Sequence, residues 1–273
     1  MTTAVAAPPE MAPNVAAQTW ALSRRAVVGT FRQLPLLLPS LIFPMFFVAI
    51  NAGSFQKSLP LLRACCYPHL NSFVTFMLPA TVMQGVLFGS VQSATDLAND
   101  VEGGFFERLL ASPVNRVSIL VGRLAGAAVI GMVQAVFFIV ILTIFGARDE
   151  SGLGGYLVLI VGAALVAVGF GALLSSMAIR SGSAEAVQST FPVVFILLFA
   201  SSAFFPRQTM KGWFKTAAGW NPISHLVEAL RDLSVNGWSA HAAVVALLVP
   251  LGIVVVGVAF ALWALRRRLE ASS

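Results

Sequence analysis

Residues 156–179 read YLVLIVGAALVAVGFGALLSSMAI, a run of 24 residues with no charged side chain. At a rise of about 1.5 Å per residue, such a helix outreaches a hydrocarbon core about 30 Å thick. The run is continuously apolar and does not alternate with period two, so a barrel strand does not fit it. Five more runs of this kind lie at roughly 34–52, 73–93, 119–146, 187–206 and 241–265. None contains Asp or Glu, and Arg123 sits near enough to one end of its run to reach the interface. Pro35, Pro39, Pro44 and Pro192 are tolerable where neighbouring helices cover the freed backbone groups. An all-α integral membrane protein with six transmembrane helices is predicted.

The whole chain agrees. Its 273 residues are 58% hydrophobic and 10% charged, with a mean hydropathy of +0.87. A soluble domain is nearer 45–50% apolar and about 25% charged, so a soluble enzyme, a disordered chain and a secreted disulfide scaffold are excluded. Cys65 and Cys66 are adjacent, too few for a disulfide framework and without zinc-ligand spacing. With the N-terminus inside, ten Lys/Arg fall on the cytoplasmic side and seven outside, four of the seven in one long external segment. Both termini are then cytoplasmic, in the inner (plasma) membrane. A cleaved signal peptide fits less well: no Lys or Arg precedes Arg24, and no small-x-small site follows the long first run.

Residues 1–18, rich in Ala and Pro, read as a disordered cytoplasmic tail, and 19–273 as one six-helix domain. From Trp20 onward, Trp20, Val27, Val28 and Phe31 alternate with Arg24, Arg25 and Arg32. That pattern suits a basic interfacial helix on the inner leaflet. A plain positive flank would explain the arginines but not the aromatic positions.

The cytoplasmic acids concentrate between the second and third spans, at Asp96, Asp100, Glu102 and Glu107. Leu97, Val101 and Phe105 recur at i, i+4 and i+8, followed by Phe106, Leu109 and Leu110, so one helical face is apolar and the other acidic. Gly103-Gly104 allows a bend, and Ser112-Pro113 suits the start of the next helix. Such a piece is commonly a solvated loop, but Phe105-Phe106 has no membrane run to hide it and asks for a partner surface.

On the outer side, 207–240 carries Trp213, Phe214, Trp220 and Trp238. Asn221-Pro222 is a cap followed by proline at the first helical position, after which Ile223, Leu226, Val227, Leu230 and Leu233 repeat at helical spacing. His225, Glu228, Arg231 and Asp232 fill the other face. Re-entrant external helices before the last span are expected, and an aromatic belt would read the same way. Gly122 and Gly126 form a small-residue face for intramolecular packing or for dimerisation. Gln84, Gln134 and Gln188 are the few polar side chains able to line a pathway, or to bond between helices.

No phosphate loop, zinc-protease motif or nucleophile elbow occurs, and no intramembrane carboxylate or histidine relay is present. No catalytic or metal residue and no nucleic-acid partner is therefore predicted. The chain reads as a conduit driven from elsewhere.

Two stretches resemble the permease subunits of ABC-2 type exporters, notably the daunorubicin-resistance branch. One is Glu102-Gly103-Gly104-Phe105-Phe106-Glu107-Arg108-Leu109-Leu110-Ala111-Ser112-Pro113-Val114 with Gly122-Arg123 following; the other is Trp220-Asn221-Pro222-Ile223-Ser224-His225-Leu226-Val227-Glu228-Ala229-Leu230-Arg231. The first is more aromatic than the family's usual Gly-Thr-Leu run. The resemblance implies two six-helix permeases, as a homo- or heterodimer, working with two separate ABC ATP-binding subunits that carry the ATP and Mg. It implies an ATPase-coupling segment at Asp100, Glu102, Phe105, Phe106, Glu107 and Arg108, and docking help from the helix of Trp20, Arg24, Arg25 and Arg32. It places Trp213, Trp220, Asn221, Pro222, Glu228 and Arg231 in the external cap of the pathway. The expected function is ATP-driven export of a hydrophobic or amphipathic compound, a drug or lipid before a lipid-linked polysaccharide. A non-transporting scaffold or an intramembrane enzyme is the reading from another class. Truncating both Phe105 and Phe106 is expected to uncouple hydrolysis from transport without disturbing folding.

Overall fold

The computed structural model describes residues 14–32, 34–112 and 116–271, which are almost entirely helical. The helices are α1 (Val15–Arg32), α2 (Leu34–Phe55), α3 (Leu59–Cys65), α4 (Phe73–Glu102), α5 (Phe105–Ala111), α6 (Arg116–Ile144), α7 (Leu153–Ser181), α8 (Ala184–Gln188), α9 (Phe191–Phe199), α10 (Gly212–Trp220), α11 (Pro222–Asn236) and α12 (Ala240–Ala271). Helix α1 begins at Val15, inside the stretch expected as a tail; residues 1–13, the Arg32 side chain and Pro113 lie outside what is described.

Among the described residues, five helices are long and apolar enough to cross a bilayer: Leu37–Phe55, Phe73–Glu102, Ser118–Ile144, Leu153–Ser181 and Ala240–Arg268. Helix α4 is the axis, packed against α2, α6, α7, α8 and α11. Its burial is possible because its hydroxyls turn back on their own helix: Thr81 donates to the Met77 carbonyl at 2.8 Å, Ser90 to Val86 at 2.8 Å and Thr95 to Val91 at 3.0 Å. Helices α7 and α12 touch backbone to backbone, an ideal Cβ on Gly257 standing 2.3 Å from the Gly169 carbonyl oxygen.

The run 187–206 corrects the expectation of six unbroken helices. It is built as α8, a turn at Ser189-Thr190, then α9, and it leaves helical geometry after Phe199. The cause is local. The hydroxyls of Ser189 and Thr190 return to the Ala186 and Val187 carbonyls at 2.8 and 2.6 Å, and Pro192 in the first turn of α9 cannot donate to the helix before it. The pair still runs the length of α4. At one end the Ala184 amide donates to Glu102 at 2.7 Å. At the other, Ser202 and Ala203 meet Phe76 through Arg231. Phe76 and Glu102 are about 39 Å apart along an ideal helix. The sixth apolar run is therefore built as a broken helix pair alongside α4, shorter than the five helices able to cross.

Helices α10 and α11 lie at the Phe76 end. At about 22 Å, α11 is too short to cross, and its inner face is buried against α4, α7 and α12. Arg25 of α1 and Arg268 of α12 both reach the opposite end, where α4 turns into α5.

Candidate functional site

The turn from α4 into α5 is made by Gly103, which caps α4, and Gly104, whose φ of +67° suits glycine. The bend sends the two neighbouring aromatics to different places. Phe106 is 3% exposed and joins the core with Leu97 and Val101. Phe105 is half-buried, with the Arg25 guanidinium 3.7 Å above its ring. The expectation that both rings need an outside surface thus fails for Phe106, because Gly104 turns it inward. Ser112 closes α5, its hydroxyl donating to the Leu109 carbonyl at 2.6 Å.

The acids of this corner are spent on the chain itself. Asp100 accepts from Arg123 of α6 and stands 3.6 Å from Arg25 of α1. Glu102 accepts the first amide of α8. Glu107 pairs with Arg268 of α12 at 2.8 Å, and Arg268 also donates to the Ile179 carbonyl of α7. A movement of α5 therefore pulls on α12 and, through Arg268, on α7, while Asp100 and Glu102 at the end of α4 tie α1, α6 and α8. Arg108 and Arg24 remain exposed. A cleft of about 520 Å³ opens between α1, α4, α5 and α6, with Arg24, Arg25, Asp96, Asp100, Phe105 and Leu109 on its walls.

Helix α1 is held by the small-residue face of α6. Ideal Cβ atoms on Gly122 and Gly126 would stand 2.6 Å from Leu22 Cβ and 2.7 Å from Ala26 Cβ. The constant offset means that α1 runs alongside α6 in the same direction over at least one turn. Trp20 is 72% exposed on the far side.

At the other end, Arg231 is fully buried and fills its fork with carbonyls: Phe76 at 3.1 Å, Ser202 at 3.0 Å and Ala203 at 2.6 Å, with the Phe76 ring 3.8 Å from its guanidinium. Asn221 caps α11 through the Ile223 amide at 2.9 Å and donates to the Leu197 carbonyl of α9 at 2.6 Å, with Pro222 following at the first helical position. Glu228 pairs with Arg207 at 2.8 Å. Trp213 and Trp220 stand 79% and 86% exposed. Between α6 and α7, Asp149 takes the Ser151 amide at 2.9 Å and the Ser234 hydroxyl of α11 at 3.0 Å. Burial pushes its carboxyl above the usual carboxylate range; the Ser151 and Ser234 hydrogen bonds act against this, and the Glu150 charge adds to it.

The three glutamines do not converge. Gln84 and Gln134 are buried, Gln134 donating to Ser40 at 2.9 Å, whereas Gln188 is exposed at the end of α8. What the sequence reading missed is an aromatic row where α2, α4 and α9 meet. Phe88 faces Phe191 at 4.8 Å and Phe43 at 5.6 Å, Phe195 stacks on Phe199 at 4.2 Å, and Phe204 follows at 4.6 Å from Phe199 and 4.7 Å from Phe47. Its signal was the Phe191, Phe195, Phe199 spacing at i, i+4, i+8, concealed in a run that was apolar throughout.

The family model described as ABC-2 family transporter protein matches residues 47–265. The chain belongs to that family. It is 28% identical over 205 residues to the daunorubicin resistance ABC transporter permease DrrB1 of Streptomyces coeruleorubidus, covering 73% of this chain and 67% of that one. It is 28% identical over 222 residues to the transport permease ycf38 of Pyropia yezoensis, covering 79% and 74%. With a doxorubicin resistance ABC transporter permease, DrrC, of Mycobacterium tuberculosis it shares 22% over 221 residues, covering 81% and 78%. This ABC-2 chain is thus a multi-pass membrane subunit of an ABC transporter, like the relatives that carry the name permease.

Proposed function

We propose that this permease exports a hydrophobic or amphipathic compound, a drug or a lipid, across the plasma membrane, with both termini cytoplasmic. The energy comes from ATP and Mg bound on a separate ABC ATP-binding subunit docked at the α4–α5 corner. The observation that carries the reading is the wiring of that corner: Asp100, Glu102 and Glu107 join it to α1, α6, α8 and α12, so a push on α5 is felt through much of the bundle. The exposed side chains Arg24 and Arg108, the Arg25-covered Phe105 and the adjoining cleft are the surface offered to the partner. We place the pathway along the aromatic row of α2 and α9, against a second permease copy, where stacked rings and few polar groups favour an apolar cargo over a glycan. Relatives named for daunorubicin and doxorubicin resistance support the same choice.

Substrate-stimulated ATP hydrolysis by the reconstituted complex tests this reading. Phe105→Ala combined with Arg108→Glu is expected to abolish the stimulation at unchanged permease level. Full stimulation in that variant would overturn the docking role.

A further inference from the structure

Beside the coupling corner, α7 and α12 present a second surface. The guanidinium of Arg180, at the end of α7, lies 4.8 Å from the Trp263 ring of α12. Arg180 is exposed and, among the described residues, pairs with no carboxylate. On α12, Val256, Phe260, Trp263 and Arg267 follow at i, i+4, i+7 and i+11, one continuous helical stripe. Its apolar members stand open: Val256 is 49% exposed, Phe260 50% and Trp263 42%. Arg266 is exposed next to the stripe, while Arg268 turns to the other face and holds Glu107.

We propose that this surface is a binding site for an anionic glycerophospholipid. The phosphate sits between Arg180 and Arg267, and an acyl chain lies along Trp263, Phe260 and Val256. Three pieces of chemistry select that ligand. The guanidinium fork suits two phosphate oxygens. The indole marks the level where hydrocarbon gives way to headgroups. On α7 and α12, with Arg268 taken by Glu107, three arginines stand against one carboxylate, Glu270, which lies 3.8 Å from Arg267, so a lipid with net negative charge is preferred to a zwitterion. An ordinary positive flank needs only cations directed at the headgroup layer. Here Arg180 instead lies over an aromatic ring that continues into the chain-binding stripe, so headgroup and chain are gripped by one constellation. The site requires only that α7 and α12 cross the bilayer, and it does not depend on which compound is exported. Because Arg267 precedes Arg268, an occupied site steadies the end of α12 that holds α5.

The test uses the full chain in phosphatidylcholine vesicles titrated with phosphatidylglycerol brominated on its acyl chains. The readout is the part of the tryptophan quenching that Trp263→Phe removes. This quenching is expected to saturate at a far lower mole fraction for brominated phosphatidylglycerol than for brominated phosphatidylcholine. Each arginine near the surface contributes about fivefold in preference, so Arg180→Gln with Arg267→Gln is expected to lower the preference by roughly thirtyfold. Arg148→Gln, the loss of one charge at the opposite end, is expected to leave it unchanged. Equal quenching by the two lipids, or a preference that survives the double substitution or falls equally with Arg148→Gln, overturns the site.

Discussion

Arg231 offers the clearest perturbation. Its buried guanidinium binds three carbonyls on two separate segments, α4 and the turn after α9. Arg231→Met keeps the bulk and removes every donor. The Phe76 oxygen still lies within α4, but Ser202 and Ala203 lie past the end of α9, so two buried acceptors lose their partner. Each costs about 1–3 kcal/mol. Relief from burying the cation offsets part of this, leaving a net loss of about 3 kcal/mol. The loss is local, so hydrogen exchange of the backbone reports it best. The Ser202 amide, held by the Ser224 hydroxyl at 3.0 Å, and the Ala203 amide, held by Ser201 at 3.1 Å, are expected to exchange about a hundredfold faster in the folded variant. Arg231→Lys, which keeps the charge but cannot reach all three oxygens, is expected to fall between the two. Unchanged exchange at 200–205 in folded Arg231→Met would refute the claim that this side chain pins the break to α4.

Three further outcomes are expected. Gly126→Leu puts a side chain where even a Cβ meets Ala26 at 2.7 Å; the overpacking costs about 1–3 kcal/mol, and tryptic cleavage at Arg24 and Arg25 in α1 is expected to quicken by about five- to a hundredfold. Phe106→Ala opens a core position 3% exposed and is expected to destabilise the chain by about 3–5 kcal/mol. Phe105→Ala loses mainly the contact with Arg25, about 0.5–1 kcal/mol, so thermal scans in detergent separate the pair. Asp149, whose carboxyl is raised by burial, penalises the folded state when ionised, and that penalty fades as pH falls through its folded value. The melting point of the parent relative to Asp149→Asn is therefore expected to rise on acidification from pH 7.

The sequence exposed the crossings because length and missing charge identify a membrane helix one segment at a time. It concealed the break at Ser189-Thr190, since hydroxyls and a proline are each tolerated in lipid and only their conjunction stops the helix. Gly122 and Gly126 announced a close contact but not its occupant, because a small-residue face has no partner written into it; α1 fills it. The acids between the second and third spans were plain as a cluster. Their use was not, since Glu107 meets Arg268 across a sequence separation of 161 residues. Phe105 and Phe106 read as a pair, and the left-handed Gly104 parts them. Arg231 read as one polar position on an amphipathic helix; its burial depends on the turn at Ser202, which local pattern does not encode.

The most direct test of coupling to a separate ATPase is transport of a fluorescent amphipathic compound into inverted proteoliposomes. The permease is reconstituted with and without its ATP-binding subunit, under ATP or under an imposed proton gradient. Accumulation is expected only when both subunits and ATP are present, and is expected to be lost when Phe105→Ala and Arg108→Glu are combined. Accumulation by the permease alone on a proton gradient would contradict that coupling.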